Sequence, residues 1–199
     1  MSNTKLTIDD IADVRAYERE REEFRQQVID LKKRRRVPVG PFVTLLFENR
    51  DTIRFQVQEM ARVEKIVSDE GIQGELDTYN PLIPEPGALA ATMFIELTNK
   101  DDLMKWLPKL VGIERTLQLR IGGDQGEVVR ARVDAEHEKQ LTRETITASV
   151  HYVHLDLTPD QTERFAREPV CVEIDHPAYS YGTNLDEVTK QELLADLKA

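Results

Sequence analysis

Apolar and polar positions in the first part of the chain repeat with the period of an α-helix. Between residues 7 and 36, apolar side chains recur every three or four positions around a highly charged stretch. Thr7 is a suitable N-cap for this pattern, and the segment 37–41, which contains two prolines and a glycine, ends it. The sequence therefore predicts an N-terminal helical arm over about residues 8–36.

A short apolar run over residues 42–48 follows and has the character of a buried strand. The next segment, 50–67, can be interpreted in two ways. Residues 52–58 alternate like a strand, which would make a hairpin that turns at 49–51. The apolar positions also have helical spacing, and this spacing continues to Ile66, so we favour a helix over 50–67. Its apolar positions are Ile53, Val57, Met60 and Val63.

After residue 85 the pattern changes from helical spacing to alternation. Helical segments cluster early and strands late, without a regular alternation of the two, which is typical of an α+β fold. We therefore predict one domain over residues 1–199, with a largely antiparallel sheet of about six strands and helices packed on it. The later strands are expected near 89–97, 116–121, 127–134, 146–157 and 170–174, and the later helices near 70–79, 101–110, 158–165 and 186–197.

Two of these segments carry specific expectations. The apolar phase switches within 146–157, which a bulge or burial on both faces would explain. Residues 80–87 contain three prolines, so they should form an ordered, extended loop. Because Leu82 and Ile83 are apolar, we expect this loop to pack against the sheet.

Several strings of residues resemble a known family. They are Glu23–Arg25, Leu31–Gly40, Leu46–Thr52, Arg54–Met60 and Tyr79–Pro84. These strings are similar to a bacterial family of about this length, domain-of-unknown-function family 3501. The resemblance implies at most a link to iron or peroxide metabolism, and it carries over no catalytic or ligand-binding residue.

Length, composition and charge exclude several classes of protein. The chain has 199 residues, 40% of them hydrophobic, which is enough for one core, and its net charge is −10. This charge argues against nonspecific binding to nucleic acid. One cysteine excludes an internal disulfide, and no stretch approaches the roughly 18 apolar residues of a membrane span. The first residues lack the apolar core of a signal peptide, so we expect a cytoplasmic protein.

A polar surface after the first strand is the first candidate for function. Arg50, Arg54 and Gln58 recur at four-residue steps, which places them on one face of a helix. Guanidinium groups beside helix N-terminal amides suit a carboxylate, a phosphate or a protein partner. A solvated helix face with Glu59 as an ion-pair partner is the alternative. The predicted ligand- or partner-binding residues are Glu48, Asn49, Arg50, Arg54, Gln58 and Asn80.

The histidines are the second candidate. His151, His154 and His176, completed by a carboxylate such as Glu48 or Asp156, would form a site that iron, manganese or zinc accepts. Residues three apart in a regular strand face opposite sides, so His151 and His154 share a metal only if a bulge turns one of them. The alternative is isolated histidines with ordinary hydrogen bonds, and no cofactor is predicted from the residues alone.

A basic cluster, residues 32–36, ends the first helix. A solvated helix end is the favoured interpretation, and contact with nucleic acid or an acidic partner is the alternative. Together these patterns favour a non-enzymatic binding or accessory protein, whose partner would be a protein or a small anion. They leave homo-oligomerisation open. The alternative is a metal-dependent enzyme with a histidine/carboxylate site.

Overall fold

The computed structural model describes residues 5–133, 142–143 and 145–199. Its described residues form six α-helices: α1 Val14–Arg35, α2 Arg50–Glu64, α3 Asp69–Tyr79, α4 Lys100–Trp106, α5 Pro159–Arg167 and α6 Glu187–Leu197. Its strands are β1 Arg36–Val39, β2 Val43–Glu48, β3 Ala88–Ile95, β4 Leu117–Ile121, β5 Glu127–Arg130, β6 Arg132–Val133, β7 Thr142–Arg143, β8 Ile146–Thr147, β9 Val150–Asp156, β10 Val170–His176 and β11 Tyr179–Asn184. None of the described helices combines the length and apolar character needed to cross a bilayer.

The strands form antiparallel sheets, which confirms the predicted α+β class. The five-stranded sheet has the order β1-β2-β3-β9-β6, and the four-stranded sheet has the order β11-β10-β4-β5. β7 and β8 pair separately. The strands are therefore divided between sheets, where the sequence suggested one sheet of about six strands.

The two large sheets enclose one apolar core and meet at both edges. At one edge, β5 runs into β6 with only Ala131 between them. At the other edge, the Tyr179 hydroxyl donates to the Val39 carbonyl at 2.7 Å, and the Thr183 hydroxyl donates to the Pro38 carbonyl at 2.6 Å. Side chains from both sheets and from α6 form the core between them.

Two strands at the second edge escaped the sequence analysis. β1 contains Pro38, and a proline there signals the end of a helix as readily as an edge strand. β11 is polar and mostly exposed, so it lacks the apolar alternation by which a strand is recognised.

The segment after β2 is a helix, so the hairpin alternative is wrong. Asn49 caps α2, because its side chain accepts hydrogen bonds from the backbone of Asp51 and Thr52. α1 begins later than predicted. Thr7 caps only a short 3-10 turn at Ile8–Asp10, and Asp13 is the N-cap of α1 itself.

The segment 146–157 is interrupted rather than continuous. β8 ends at Thr147 and β9 begins at Val150. The apolar phase switches inside β9, because Val153 and Leu155 face the main core while Tyr152 packs on the other face of the strand. The proline-rich segment packs as expected, since Leu82 and Ile83 are buried. It starts with a 3-10 turn at Asn80–Leu82, where an extended loop was predicted.

A second apolar cluster lies outside the main core. It joins the N-terminal segment, defined here as residues 5–13, to α2, α3 and the proline-rich segment, and Tyr152 of β9 packs against it. Tyr152 alternates with the core residues of β9, so it lies on the opposite, outer face of the five-stranded sheet. The buried members of this second cluster are Leu6, Ile53, Val57, Leu76, Leu82 and Ile83.

The basic cluster is not simply a solvated helix end. Arg35 is 1% exposed and forms an ion pair with Asp196 of α6. Its guanidinium also donates to the carbonyls of Phe47 at 2.9 Å and Glu48 at 3.2 Å. One member of the cluster therefore connects the end of α1 to β2 and α6.

Candidate functional site

Two amide side chains of the predicted polar surface bind the N-terminal segment. Gln58 Oε1 accepts from the Ala12 amide at 3.0 Å, and Gln58 Nε2 donates to the Ala12 carbonyl at 2.8 Å. Asn80 binds Leu6 in the same way, accepting at 2.8 Å and donating at 2.9 Å. Each amide thus pairs with both backbone groups of one residue, and the two pairs hold the segment near its ends.

The two arginines contact the same segment between these pairs. Arg50 forms an ion pair with Asp10 at 2.5 Å, and Arg54 Nε donates to the Asp10 carbonyl at 2.9 Å. A hydrogen bond from the Thr7 backbone amide and the contact with Arg50 lower the pKa of Asp10. Arg54 also lies 3.6 Å from Glu20, with its guanidinium carbon 4.9 Å from the centre of the Phe24 ring.

The other two predicted residues lie deeper. Glu48 is 7% exposed, and its two carboxylate oxygens accept hydrogen bonds from the hydroxyls of Thr92 at 2.6 Å and Thr52 at 2.5 Å. Asn49 is occupied as the cap of α2. The structure therefore brings Arg50, Arg54, Gln58 and Asn80 together around the chain's own N-terminal segment. Glu48 is instead buried between α2 and β3, where Thr52 and Thr92 donate to it.

The predicted histidines lie in three different surroundings. His151 is 1% exposed on the core face of β9, with Nε2 2.9 Å from the Thr147 hydroxyl and Nδ1 3.9 Å from Glu114. His154 lies on the opposite face of β9, as strand geometry requires. His176 ends β10 in the other sheet, where its Nε2 is 3.3 Å from the carbonyl of Val111.

No group of three or more histidine, cysteine, aspartate or glutamate side chains is close enough to hold a metal ion within residues 5–133, 142–143 and 145–199. The predicted metal site with iron, manganese or zinc stays a prediction.

An apolar cleft lies beside the N-terminal segment and is named here the N-terminal cleft. It has a volume of about 330 Å³ and is open between this segment, the end of α2 and the start of α3. The hydrogen bonds of Gln58 fix Ala12 as part of its wall. Asp13, Arg15 and Asp69 line its rim, and its apolar lining includes Ile8, Ile11, Ala61, Ile66, Val67 and Ile72.

The sequence pattern does not predict this cleft, because the apolar spacing continues beyond the residue at which α2 ends. The pattern continues to Ile66, which predicts a buried helix face, but the helix ends at Glu64 and Lys65 is left-handed with φ 57°. Ile66 and Val67 therefore leave the helical face, and Val67 is 86% exposed. A signal was available in the sequence, since two apolar residues precede the Ser68 cap of the next helix.

The fold defines an α+β protein with antiparallel sheets around a shared core. The chain belongs to the family described as protein of unknown function DUF3501, whose model matches residues 5–197. It is also similar to a protein of unknown function from Burkholderia pseudomallei with a crystal structure. The two are 36% identical, the match covers 98% of this chain and 100% of that one, and the TM-score is 0.89. No curated protein matches the chain.

Proposed function

We propose that this is a binding protein whose N-terminal cleft takes an apolar segment of a partner protein. The observation that carries the proposal is the exposure of apolar side chains around the cleft. Val67 lines the cleft and is 86% exposed, beside a concave apolar lining drawn from three parts of the chain. Exposed apolar patches of this kind are typical of interaction sites.

The charge around the cleft defines the partner further. The exposed acids Asp13, Glu64, Asp69 and Glu70 outnumber the exposed bases Arg15 and Lys65 in this region, and the whole chain has a net charge of −10. Opposite charge at the rim of an interface increases the rate of association and selects the partner. The partner segment is therefore apolar on the side that enters the cleft and carries lysine or arginine beside it.

The surroundings of the charged residues support binding over a chemical reaction. Arg50 and Arg54 are engaged with the N-terminal segment, and Arg120 forms a bidentate pair with Glu173 at 2.8 and 2.9 Å. The proposal also includes a cytoplasmic location, consistent with the free Cys171. The link to iron or peroxide metabolism implied by the family resemblance would place the partner in such a pathway.

The test uses a short synthetic amphipathic peptide with leucines on one face and lysines on the other, labelled for fluorescence anisotropy. We expect it to bind the wild-type protein and to lose binding to Val67→Asp. Val188→Asp is the matched control, because Val188 is 57% exposed on α6, away from the cleft. A peptide with glutamates in place of the lysines should bind much more weakly.

The control separates the cleft from general charge attraction. Val67→Asp makes the protein more negative, so binding that depends only on charge would strengthen in this variant. Equal affinity in Val67→Asp and Val188→Asp, or tighter binding to Val67→Asp, would contradict the proposal.

A further inference from the structure

Among the described residues, some members of the basic cluster at the end of α1 have an acidic partner and others do not. Its three middle residues all have acidic partners. Lys33 contacts Asp30 at 2.8 Å, Arg34 contacts Glu192 at 2.6 Å, and Arg35 pairs with Asp196. These ion pairs give Lys33, Arg34 and Arg35 a structural role. They do not include Lys32 and Arg36, the first and last residues of the cluster.

Lys32 and Arg36 are each placed on an aromatic ring instead. The Lys32 ammonium lies 5.4 Å from the centre of the Phe55 ring, and the Arg36 guanidinium carbon lies 5.7 Å from that of Phe94. Within the part of the chain that the structure describes, neither side chain makes a hydrogen bond or an ion pair. Contact with an aromatic face is favourable for a cation and restricts its position, but it does not neutralise the charge.

Both cations border the outer face of the five-stranded sheet. Arg36 is opposite Leu46 in the β1–β2 register, and Phe94 of β3 lies on the same face as Thr92. Lys32, one helical turn before Arg36, lies in the last turn of α1, and Phe55 belongs to α2. The two cations and two rings therefore lie where the C-terminal end of α1 and the first half of α2 meet the outer face of the sheet.

Among the described residues no carboxylate lies within ion-pair distance of Lys32, and burial makes its positive charge costly. The side chain is half-buried, and desolvation lowers its pKa, with the repulsion of Arg36 acting in the same direction. Glu48 opposes this effect from beyond ion-pair distance, with both of its oxygens held by threonine hydroxyls. A bound anion would stabilise the charged form of Lys32.

We propose that Lys32 and Arg36, each lying over one aromatic ring, form a binding site for a small anion that carries a phosphate or carboxylate group. Arginine offers parallel N–H donors that match these oxyanions, and lysine adds a point charge. The rings supply apolar walls beside the charges, which suit a ligand with an apolar body. This site is separate from the N-terminal cleft and does not depend on its function.

The test is a calorimetric titration of the full-length protein with inorganic phosphate and, separately, with benzoate, each compared with chloride at matched ionic strength. We expect phosphate or benzoate to bind, with about tenfold or greater loss of affinity in Lys32→Met and in Arg36→Met. Lys33→Met is the matched control and should bind as the wild type does. Lys32→Arg, which keeps the charge, should retain binding.

The two probes distinguish the class of ligand. Binding of phosphate alone indicates a phosphorylated ligand, and binding of benzoate indicates a carboxylate with an apolar body. The proposal is overturned if neither probe produces more heat than chloride, or if Lys33→Met weakens binding as much as Lys32→Met does. Arg36 is exposed, so Arg36→Met tests the site even if Lys32→Met destabilises the fold.

Discussion

The buried charge of Arg35 is important to the fold. It is 1% exposed and its partner Asp196 is 6% exposed, so removing one charge leaves the other buried without compensation. We expect Arg35→Met to lower the free energy of unfolding by about 3–5 kcal/mol, measured by urea denaturation. Arg34→Met, which breaks the more exposed pair with Glu192, should cost less than about 1 kcal/mol. Similar losses of unfolding free energy in the two variants would contradict the prediction that burial of the ion pair sets the loss of stability.

Glu59 gives the stability of the protein a defined dependence on pH. Its hydrogen bonds with Arg21, and then with Tyr17, lower the pKa of Glu59 from 4.5 to about 2. Because the folded pKa is depressed, this stabilisation is complete above pH 4.5 and is lost as the pH falls towards 2.

Glu59→Gln should therefore unfold more easily than the wild type by about 1–3 kcal/mol at pH 7. The difference between the two proteins should shrink between pH 4.5 and pH 3, measured by urea denaturation at each pH. Glu22→Gln, at an exposed position of α1, should show no such trend. A difference that stayed constant from pH 7 to pH 3 would contradict the assignment.

At the scale of elements, the N-terminal segment is held by two amide side chains that act at separate places. We expect Asn80→Ala to speed hydrogen exchange of the Leu6 amide and Gln58→Ala to speed exchange of the Ala12 amide. In each variant the backbone amide loses the side-chain oxygen that accepts its hydrogen bond. Each variant should also lower stability by about 1–3 kcal/mol. Unchanged exchange at both amides would mean that these bonds do not hold the segment.

The turn after β1 depends on Gly40, which has φ +77°. A Cβ at this position would lie 2.5 Å from the Tyr181 ring and 2.6 Å from the Tyr179 hydroxyl, where the two sheets meet. Gly40→Ala should therefore destabilise the protein by about 1 kcal/mol or more in thermal unfolding. Gly74→Ala is the matched control, since its Cβ meets nothing within 4 Å, and it should stabilise α3 by up to about 1 kcal/mol.

For the whole molecule, local patterns predicted most elements but not how they assemble. The helix over α2 and the strands β2, β3 and β4 follow from the spacing of their own apolar residues. The division into two sheets depends on contacts between distant residues, such as Thr183 with Pro38, which no local pattern encodes.

The same limit applies to the candidate site. Regular spacing correctly placed Arg50, Arg54 and Gln58 on one helix face, where they meet a segment more than 35 residues earlier in the chain. The periodicity did not reveal that this segment covers them, because the contact is set by tertiary packing. Nor did it reveal the N-terminal cleft, which exists because α2 ends at Glu64.

The most direct test of the account is a titration of the leucine–lysine peptide into protein whose isoleucine methyl groups are labelled for NMR. If the N-terminal cleft is the binding site, the signals of its four isoleucines should shift in a saturable way. Ile113 and Ile174, which are buried in the main core, should stay unchanged. The responsive residues are Ile8, Ile11, Ile66 and Ile72. Saturable binding that left these four signals in place would contradict the account.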